Sequence, residues 1–292
     1  LKIKSLFSNL CFKFEEEEVF LFEILKKEEL APEVFLMEIS APQIAQKAVA
    51  GQFFVLRVDE KGERIPLTIA DFDKKKGTIT MVFQVVGLTT KKLSRLAKGK
   101  RIRDLVGPMG KPTHIKKYGR VVIVGGGVGA AAAYPVAREL KKAGNYVITI
   151  QGAKSAQYLI LEDWLLSVSD ELHITTDDGS KGRKGFVTDA LKDLLEKEAA
   201  DLVFAVGPAI MMKFVSLTTK PFAVKTIVSL NPIMVDATGM CGSCRVEVGG
   251  KTYFACVDGP DFDGHEVNWE LLLSRQRFYY EEEKKALEVK DA

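Results

Sequence analysis

The stretch Val121-Val122-Ile123-Val124-Gly125-Gly126-Gly127-Val128-Gly129 decides the fold. Four consecutive β-branched residues fit a strand buried on both faces, and the glycines turn the chain straight into a helical run over 131–143. Glycine at such a turn lets the backbone approach a pyrophosphate, while the helix N-terminus offers unpaired N–H groups and a favourable dipole. The spacing departs from the G-x-G-x-x-G fingerprint, so the strand–turn–helix context carries the motif. A tight turn with glycines for packing alone is the competing reading. Downstream the alternation continues, with strands over 146–151, 172–176, 202–206 and 224–230 and helices over 162–167, 187–198 and 210–218. Such alternation predicts a parallel sheet with helices on its faces. At the end of its second strand, Gln151-Gly152-Ala153-Lys154 stands where a dinucleotide-binding domain would carry a ribose-binding carboxylate, so the choice between NAD and NADP is not readable there.

Upstream the texture differs. Short β-branched or aromatic runs over 20–25, 34–39, 53–58, 67–71, 78–86 and 102–106, separated by turn residues and one helix over 90–97, predict a small closed barrel or sandwich. Within it, Arg64-Ile65-Pro66-Leu67-Thr68 sets an Arg fork beside a proline at a strand start. That arrangement suits phosphate oxygens, with the Thr68 hydroxyl free for a ring system, although an exposed Arg at a strand edge is the plainer reading. Gly87-Leu88-Thr89-Thr90, just ahead of the helix, reads as a phosphate-binding cap or as an ordinary N-cap. Residues 1–19 are basic and apolar, then acidic at Glu15 to Glu18. Ser8 and Asn9 interrupt the apolar part and no small-residue cleavage site follows, so they are read as an extension ahead of the fold.

Past the sheet, residues 231–267 form a Gly- and Cys-rich excursion, and a charged helix is expected from Asn268. Of the four cysteines, Cys11 is alone, while Cys241, Cys244 and Cys256 cluster. Clustered thiols without a secretion signal read as metal ligands in a reducing compartment. Asp236-x4-Cys241-x2-Cys244-x11-Cys256 reproduces the plant-type [2Fe–2S] spacing with Asp236 in the first place. Zinc held by three thiolates and a carboxylate is the alternative. Structural zinc prefers four thiolates or a thiolate–imidazole mixture, and none of His114, His173 and His265 has a suitable spacing.

The chain has 292 residues with 42 Lys plus Arg against 39 Asp plus Glu, a formal charge of +3, and 47% hydrophobic residues. At roughly 100–200 residues per domain this suggests about two domains, and disordered, collagen-like and repeat classes are excluded. The charge gives no nucleic-acid stripe. No apolar run reaches the ~18 residues of a spanning helix, so no membrane partner is expected and a cytoplasmic location is.

Together these motifs resemble the flavin-dependent ferredoxin–NADP reductase superfamily. Within it the chain is similar to electron-transfer subunits of the dihydroorotate dehydrogenase type, and above all to small subunits of NADH-dependent reduced ferredoxin:NADP oxidoreductases and sulfide dehydrogenases, over roughly residues 20–270. The resemblance implies an N-terminal Greek-key β-barrel, a parallel-sheet α/β domain and a small [2Fe–2S] segment. The partition is 1–19 extension, 20–117 FAD-binding barrel, 118–230 NAD(P)-binding domain, 231–267 cluster segment and 268–292 C-terminal helix. It implies FAD contacts at Arg64, Pro66, Leu67, Thr68, Val86, Gly87, Thr89 and Thr90. For NAD(H), with NADP not excluded, it implies Gly125, Gly126, Gly127, Val128, Gly129, Asp177, Asp178, Gly207 and Pro208. Gly107-Pro108-Met109-Gly110 resembles the turn that ends the barrel, and Val206-Gly207-Pro208 stands where many relatives have Cys-Gly-Pro.

A nicotinamide passes two electrons and a [2Fe–2S] cluster one, so a flavin belongs between them, and no acid–base side chain is required for the hydride step. The implied partner is a larger subunit with a second flavin and [4Fe–4S] clusters, which exchanges electrons with ferredoxin in a bifurcating complex. Sulfide dehydrogenase and dihydroorotate dehydrogenase subunits are the related alternatives. A zinc-stapled nucleotide-binding module is the non-redox one.

Overall fold

The computed structural model describes residues 22–288. The expected extension over 1–19, with Cys11, and the first residues of the strand expected over 20–25 lie outside the described residues. The described chain opens with β1 (Phe22–Ala31) and β2 (Val34–Ser40), a hairpin closed at Ala31↔Val34 with Glu33 in the left-handed region at φ 60°. Then come α1 (Pro42–Lys47), β3 (Phe53–Arg57), β4 (Arg64–Thr68), β5 (Asp71–Asp73), β6 (Thr78–Gln84), α2 (Leu88–Arg95), β7 (Arg101–Ile102) and β8 (Asp104–Met109). They pair as a five-stranded sheet, β5-β6-β2-β1-β7, and a three-stranded sheet, β4-β3-β8. Alternate residues of the two sheets meet in one core, with Met37, Ile39, Ile79, Met81 and Phe83 from the first and Phe54 and Leu56 from the second. Period-two strands with one buried face require this.

The single strand expected over 67–71 is instead the end of β4 and the start of β5, which lie in different sheets. Ile69 N–H donates to Gln52 O and Ala70 N–H to Thr80 O, so two buried residues carry the chain across from one sheet to the other.

The second lobe contains β9 (Arg120–Gly126), α3 (Gly129–Lys142), β10 (Tyr146–Ala153), α4 (Glu162–Val168), β11 (Glu171–Thr176), β12 (Arg183–Lys184), α5 (Val187–Lys197), β13 (Leu202–Val206), α6 (Ala209–Thr219) and β14 (Thr226–Ser229). These strands run parallel in the order β12-β11-β10-β9-β13-β14. Val121, Val122, Ile123 and Val124 of the central strand are completely buried. Burying each such side chain is worth about 1.5–3 kcal/mol over leaving it exposed. The Gly- and Cys-rich excursion contains more structure than its composition suggested. It folds as a hairpin of β15 (Arg245–Val248) and β16 (Lys251–Phe254), turning through Gly249 and Gly250 at φ 57° and 72°, and then as β17 (Asp261–Asp263), which pairs antiparallel with β14. Two consecutive positive φ values at a two-residue turn explain the glycine pair. The helix expected from Asn268 is two helices, α7 (Trp269–Gln276) and α8 (Tyr280–Glu288), and the Asn268 side chain caps the first by accepting from Leu271 N–H at 3.1 Å.

The lobes are tied by polar contacts. Lys111 N–H donates to Gly259 O at 2.6 Å, and the Thr113 hydroxyl donates to Asp261 Oδ2 at 2.5 Å. The Arg138 guanidinium of α3 bonds the Asp71 carboxylate of β5 and lies 5.5 Å over the Phe72 ring. Among the described residues no helix is long and apolar enough to cross a membrane.

Candidate functional site

Three groups of candidate residues converge from the two lobes. The first is β4. Its register against β3 sets Thr68 opposite Phe53, Pro66 opposite Val55 and Arg64 opposite Arg57. Ile65 and Leu67 pack into the first core, so strand alternation turns Arg64, Pro66 and Thr68 to the other face. On that same face Phe53 and Val55 join the core shared with the second lobe. Leu67, expected with the flavin-side residues, therefore has its side chain in the core of the first lobe. The turn after β3 is held to α2 by the Lys92–Asp59 ion pair at 3.2 Å, and the Lys92 hydrogen bond holds the Asp59 carboxyl below its usual range.

At the start of α2, Gly87 is extended at φ −148° and occupies the N-cap. The Thr90 hydroxyl accepts from both Val86 N–H and Gly87 N–H at 3.0 Å and donates to Gly87 O at 3.0 Å. Thr89 and Thr90 are buried and Val86 is exposed. Thr90 thus shapes the loop from within and does not reach out of it.

The second group lies at the C-terminal ends of the parallel strands. Strand order runs outward from β9 through β10 and β11, then resumes on the other side at β13. The βα loops after β9 and β13 flank this reversal, the position at which open α/β sheets bind ligands. Here the two loops touch backbone to backbone. A Cβ on Gly129 would stand 2.4 Å from Val206 O and 2.9 Å from Gly207 Cα, and one on Gly207 would stand 3.1 Å from Gly126 Cα. A Cβ on Gly126 would meet Met211 Sδ at 2.3 Å and Pro208 Cδ at 3.2 Å. The structure thereby brings Gly126, Gly129, Gly207 and Pro208 together. Gly125 is placed by its pairing with Val206 and Gly127 by donating N–H to Gly152 O at 2.8 Å, and Val128 occupies the N-cap of α3.

Asp177 and Asp178 are exposed at the same end of the sheet, just after β11 and so two strands out from β9, with their N–H groups on Ala153 O and Lys154 O. The Asp178 carboxylate accepts from Ser180 N–H at 2.9 Å and from the Ser180 hydroxyl at 2.6 Å, which keeps its carboxyl below the usual range. Gln151 is buried, with Nε2 donating to Ile160 O at 2.7 Å. The residue at the expected ribose-carboxylate position belongs to the core.

The third group is the cysteine hairpin. Cys244 leads into β15 and Cys256 follows β16, so the hairpin register brings two buried thiols together with Sγ atoms 3.2 Å apart. Burial and the neighbouring Cys244 push the Cys256 thiol up to about 12. The loop before them bends through Ala237, Gly239 and Gly242, all at positive φ. In it the Asp236 carboxylate accepts from Thr238 N–H at 2.7 Å, from the Thr238 hydroxyl and from Cys241 N–H at 3.0 Å. Thr238, followed by Cys241, lowers the Asp236 carboxyl to about 2. Cys241 is exposed, and the Ser243 hydroxyl beside it at 3.4 Å holds its thiol below the usual value.

The ligand-type groups therefore stand as two pairs, Asp236 with Cys241 and Cys244 with Cys256. Among the described residues no three His, Cys, Asp or Glu groups converge on one metal position. Three thiols with one carboxylate are donors of the type that iron–sulfur clusters take.

Two residues here escaped the sequence. Arg275 of α7 donates from Nη2 to Ser243 O at 3.1 Å, clamping the cysteine loop from beyond the end of the motif. Asp261 is a half-buried carboxylate between the lobes, with its Oδ1 shielded from solvent, and only the fold brings it to Thr113.

Comparison with known proteins settles the family. Residues 231–268 match the iron-sulfur cluster binding domain of dihydroorotate dehydrogenase B. A Thermotoga maritima protein named dihydroorotate dehydrogenase B (NAD(+)), electron transfer subunit homolog, is 52% identical over 262 residues, 90% of this chain and 93% of the relative. The chain belongs to the dihydroorotate dehydrogenase B electron transfer subunit family. A Desulforamulus reducens protein named dihydroorotate dehydrogenase B (NAD(+)), electron transfer subunit, is 32% identical, with 82% of this chain and 95% of the relative covered.

Among solved structures, one described as giving insights into flavin-based electron bifurcation via the NADH-dependent reduced ferredoxin-NADP oxidoreductase is 52% identical to this family member. It superposes with a TM-score of 0.88 over 92% of this chain and 97% of the other. A ferredoxin NADP+ reductase from Neisseria gonorrhoeae with bound FAD and NADP, 18% identical over 69% of this chain and 90% of its own, has a TM-score of 0.59 and shows the shared fold.

Proposed function

We infer that this chain passes electrons between NAD(H), FAD and a [2Fe–2S] cluster, to or from a larger subunit with its own flavin and [4Fe–4S] clusters, in a flavin-based electron-bifurcating NADH-dependent ferredoxin:NADP oxidoreductase. The observation that carries it is the junction of the three groups. The cysteine hairpin is fastened to the linker leaving the β4-β3-β8 sheet by the Lys111–Gly259 and Thr113–Asp261 hydrogen bonds, and β14 and β17 join it to the sheet that carries the glycine crevice. These contacts support a one-electron site on the side of the molecule that carries the Thr68 face.

In this reading the two N-terminal sheets are the halves of a Greek-key barrel, and the lobes divide at about residues 117 and 230. Arg64 presents its guanidinium to the FAD pyrophosphate, Pro66 fixes the strand, and the Thr68 hydroxyl faces the ring system. The N-terminus of α2, with its loop held by Thr90, adds oriented N–H groups for phosphate. Gly125 to Gly129 let the nucleotide pyrophosphate lie against the backbone, while Gly207 and Pro208 form the opposite wall of the crevice. Asp177 and Asp178 line its outer end. Asp236, Cys241, Cys244 and Cys256 hold the cluster, whose chemistry when bound is to carry single electrons. Met240, 89% exposed in the cluster loop, with exposed Val235 earlier in that loop and exposed Val257 lying against Gly239, gives that loop an apolar outer surface suited to a partner subunit.

The test is a visible spectrum with iron, sulfide and flavin analysis on anaerobically purified protein, before and after NADH. Flavin with equal iron and sulfide, bleaching on NADH addition, supports the reading. A colourless zinc protein overturns it.

A further inference from the structure

Asp261 on β17 lies between the sheet of the second lobe and the linker leaving β8, yet hydride transfer and electron carriage as described need no acid. Its Oδ2 accepts from the Thr113 hydroxyl at 2.5 Å, while its Oδ1 is cut off from solvent with no hydrogen-bond partner. Ser229 at the end of β14 is its cross-strand neighbour. One residue before it, Pro260 packs at Gly110: a Cβ there would lie 3.1 Å from Pro260 Cδ and 2.8 Å from the Phe53 ring, and Phe53 is the strand partner of Thr68. Five residues before it stands Cys256.

The nearby charged groups are engaged elsewhere. Lys111 on the linker is 3.9 Å from Asp258, whose Oδ2 accepts from Phe254 N–H, and Asp263 on β17 accepts from His265 N–H. Burial alone pushes the Asp261 carboxyl up to about 6, with the Thr113 and Ser229 hydroxyls pulling it down and no charged side chain contributing. A half-buried acid that ionises near neutrality responds to negative charge added nearby.

We propose that Asp261 is a positioning residue that takes up one proton as an electron reaches the cofactors seated between the β4-β3-β8 sheet and the cysteine hairpin. The proton comes from solvent, which reaches part of the Asp261 residue, and binds its carboxylate. One electron in and one proton in leave the net charge of the buried region unchanged, and both leave together when the electron passes on. The proposal rests on the electron-transfer reading above.

It is tested on the holoprotein by redox titration at several pH values and by redox-difference infrared spectroscopy, comparing the parent with Asp261→Asn and Thr113→Val. Above about pH 6, where the oxidised parent holds Asp261 ionised, the reduction equilibrium of at least one cofactor is expected to change up to tenfold per pH unit. For one electron this is about 59 mV. The parent gains a protonated-carboxyl band on reduction. Asp261→Asn loses both the band and that part of the pH dependence, and Thr113→Val moves the midpoint to higher pH. Equal pH dependence in parent and Asp261→Asn, or the same band in both, overturns the proposal and leaves the electron-transfer reading standing. Protein without flavin and iron overturns both.

Discussion

A single methyl group at Gly129 should disable the nucleotide crevice while leaving the rest of the molecule assembled. In Gly129→Ala the new carbon would start 2.4 Å from Val206 O and 2.9 Å from Gly207 Cα. Both are backbone atoms of the facing loop, so no side chain can swing aside. Ordinary van der Waals contact begins at 3.4 Å, so the two loops must separate by about 1 Å. Overpacking of this kind costs about 1–3 kcal/mol of stability. A reacting group misplaced by 1 Å loses roughly 100-fold in rate. Stopped-flow bleaching of the flavin by NADH is the assay, with flavin, iron and the denaturant midpoint measured in parallel. The expected result is about 100-fold slower bleaching with flavin and iron contents unchanged. Bleaching at the parental rate, in a variant shown to be folded, would refute the placement of nucleotide between the β9 and β13 loops.

Thr90→Val removes the hydroxyl that accepts from Val86 and Gly87 N–H, so chemical denaturation should show a loss of about 1–2 kcal/mol and FAD should dissociate faster. Arg64→Ala should lower FAD retention and leave the iron content intact, as measured by flavin release on dilution. Asp236→Cys should keep a cluster but alter its spectrum and potential; an unchanged potential would show that Asp236 is not a ligand. Asp261 also makes the stability of the flavin- and iron-free protein pH-dependent. The folded state ionises it near 6 against an ordinary 3.8, so between those values the folded chain binds the extra proton and stability falls as pH rises. Full ionisation removes about 3 kcal/mol. Asp261→Asn should therefore be more stable than the parent at about pH 8 and not at about pH 4, a difference read directly by urea titration.

The parallel sheet was legible because its strands are continuous hydrophobic runs of a kind that fits only a doubly covered sheet. The glycine run and the cysteine spacing were legible for a similar reason: backbone approach and sulfur ligation each restrict residue type severely. Other features depend on partners distant in sequence. That Leu67 faces the core follows from the register of β4 against β3, and the break at Ile69-Ala70 follows from two consecutive N–H groups bonding to different sheets. Composition hid the β15–β16 hairpin, since Gly249-Gly250 sits among residues that read as loop. Nothing in the sequence around Asp261 singled it out, because its partner Thr113 lies 148 positions away along the chain.

β17 contributes three residues, antiparallel, along the outer side of β14. Without them β14 would expose a row of unpaired backbone donors and acceptors, a template for another chain to add to. The segment that supplies the cysteines thus also seals the sheet. A chain arrested before residue 261 would present an open border to its neighbours, which links completion of the cysteine-bearing segment to resistance against self-association.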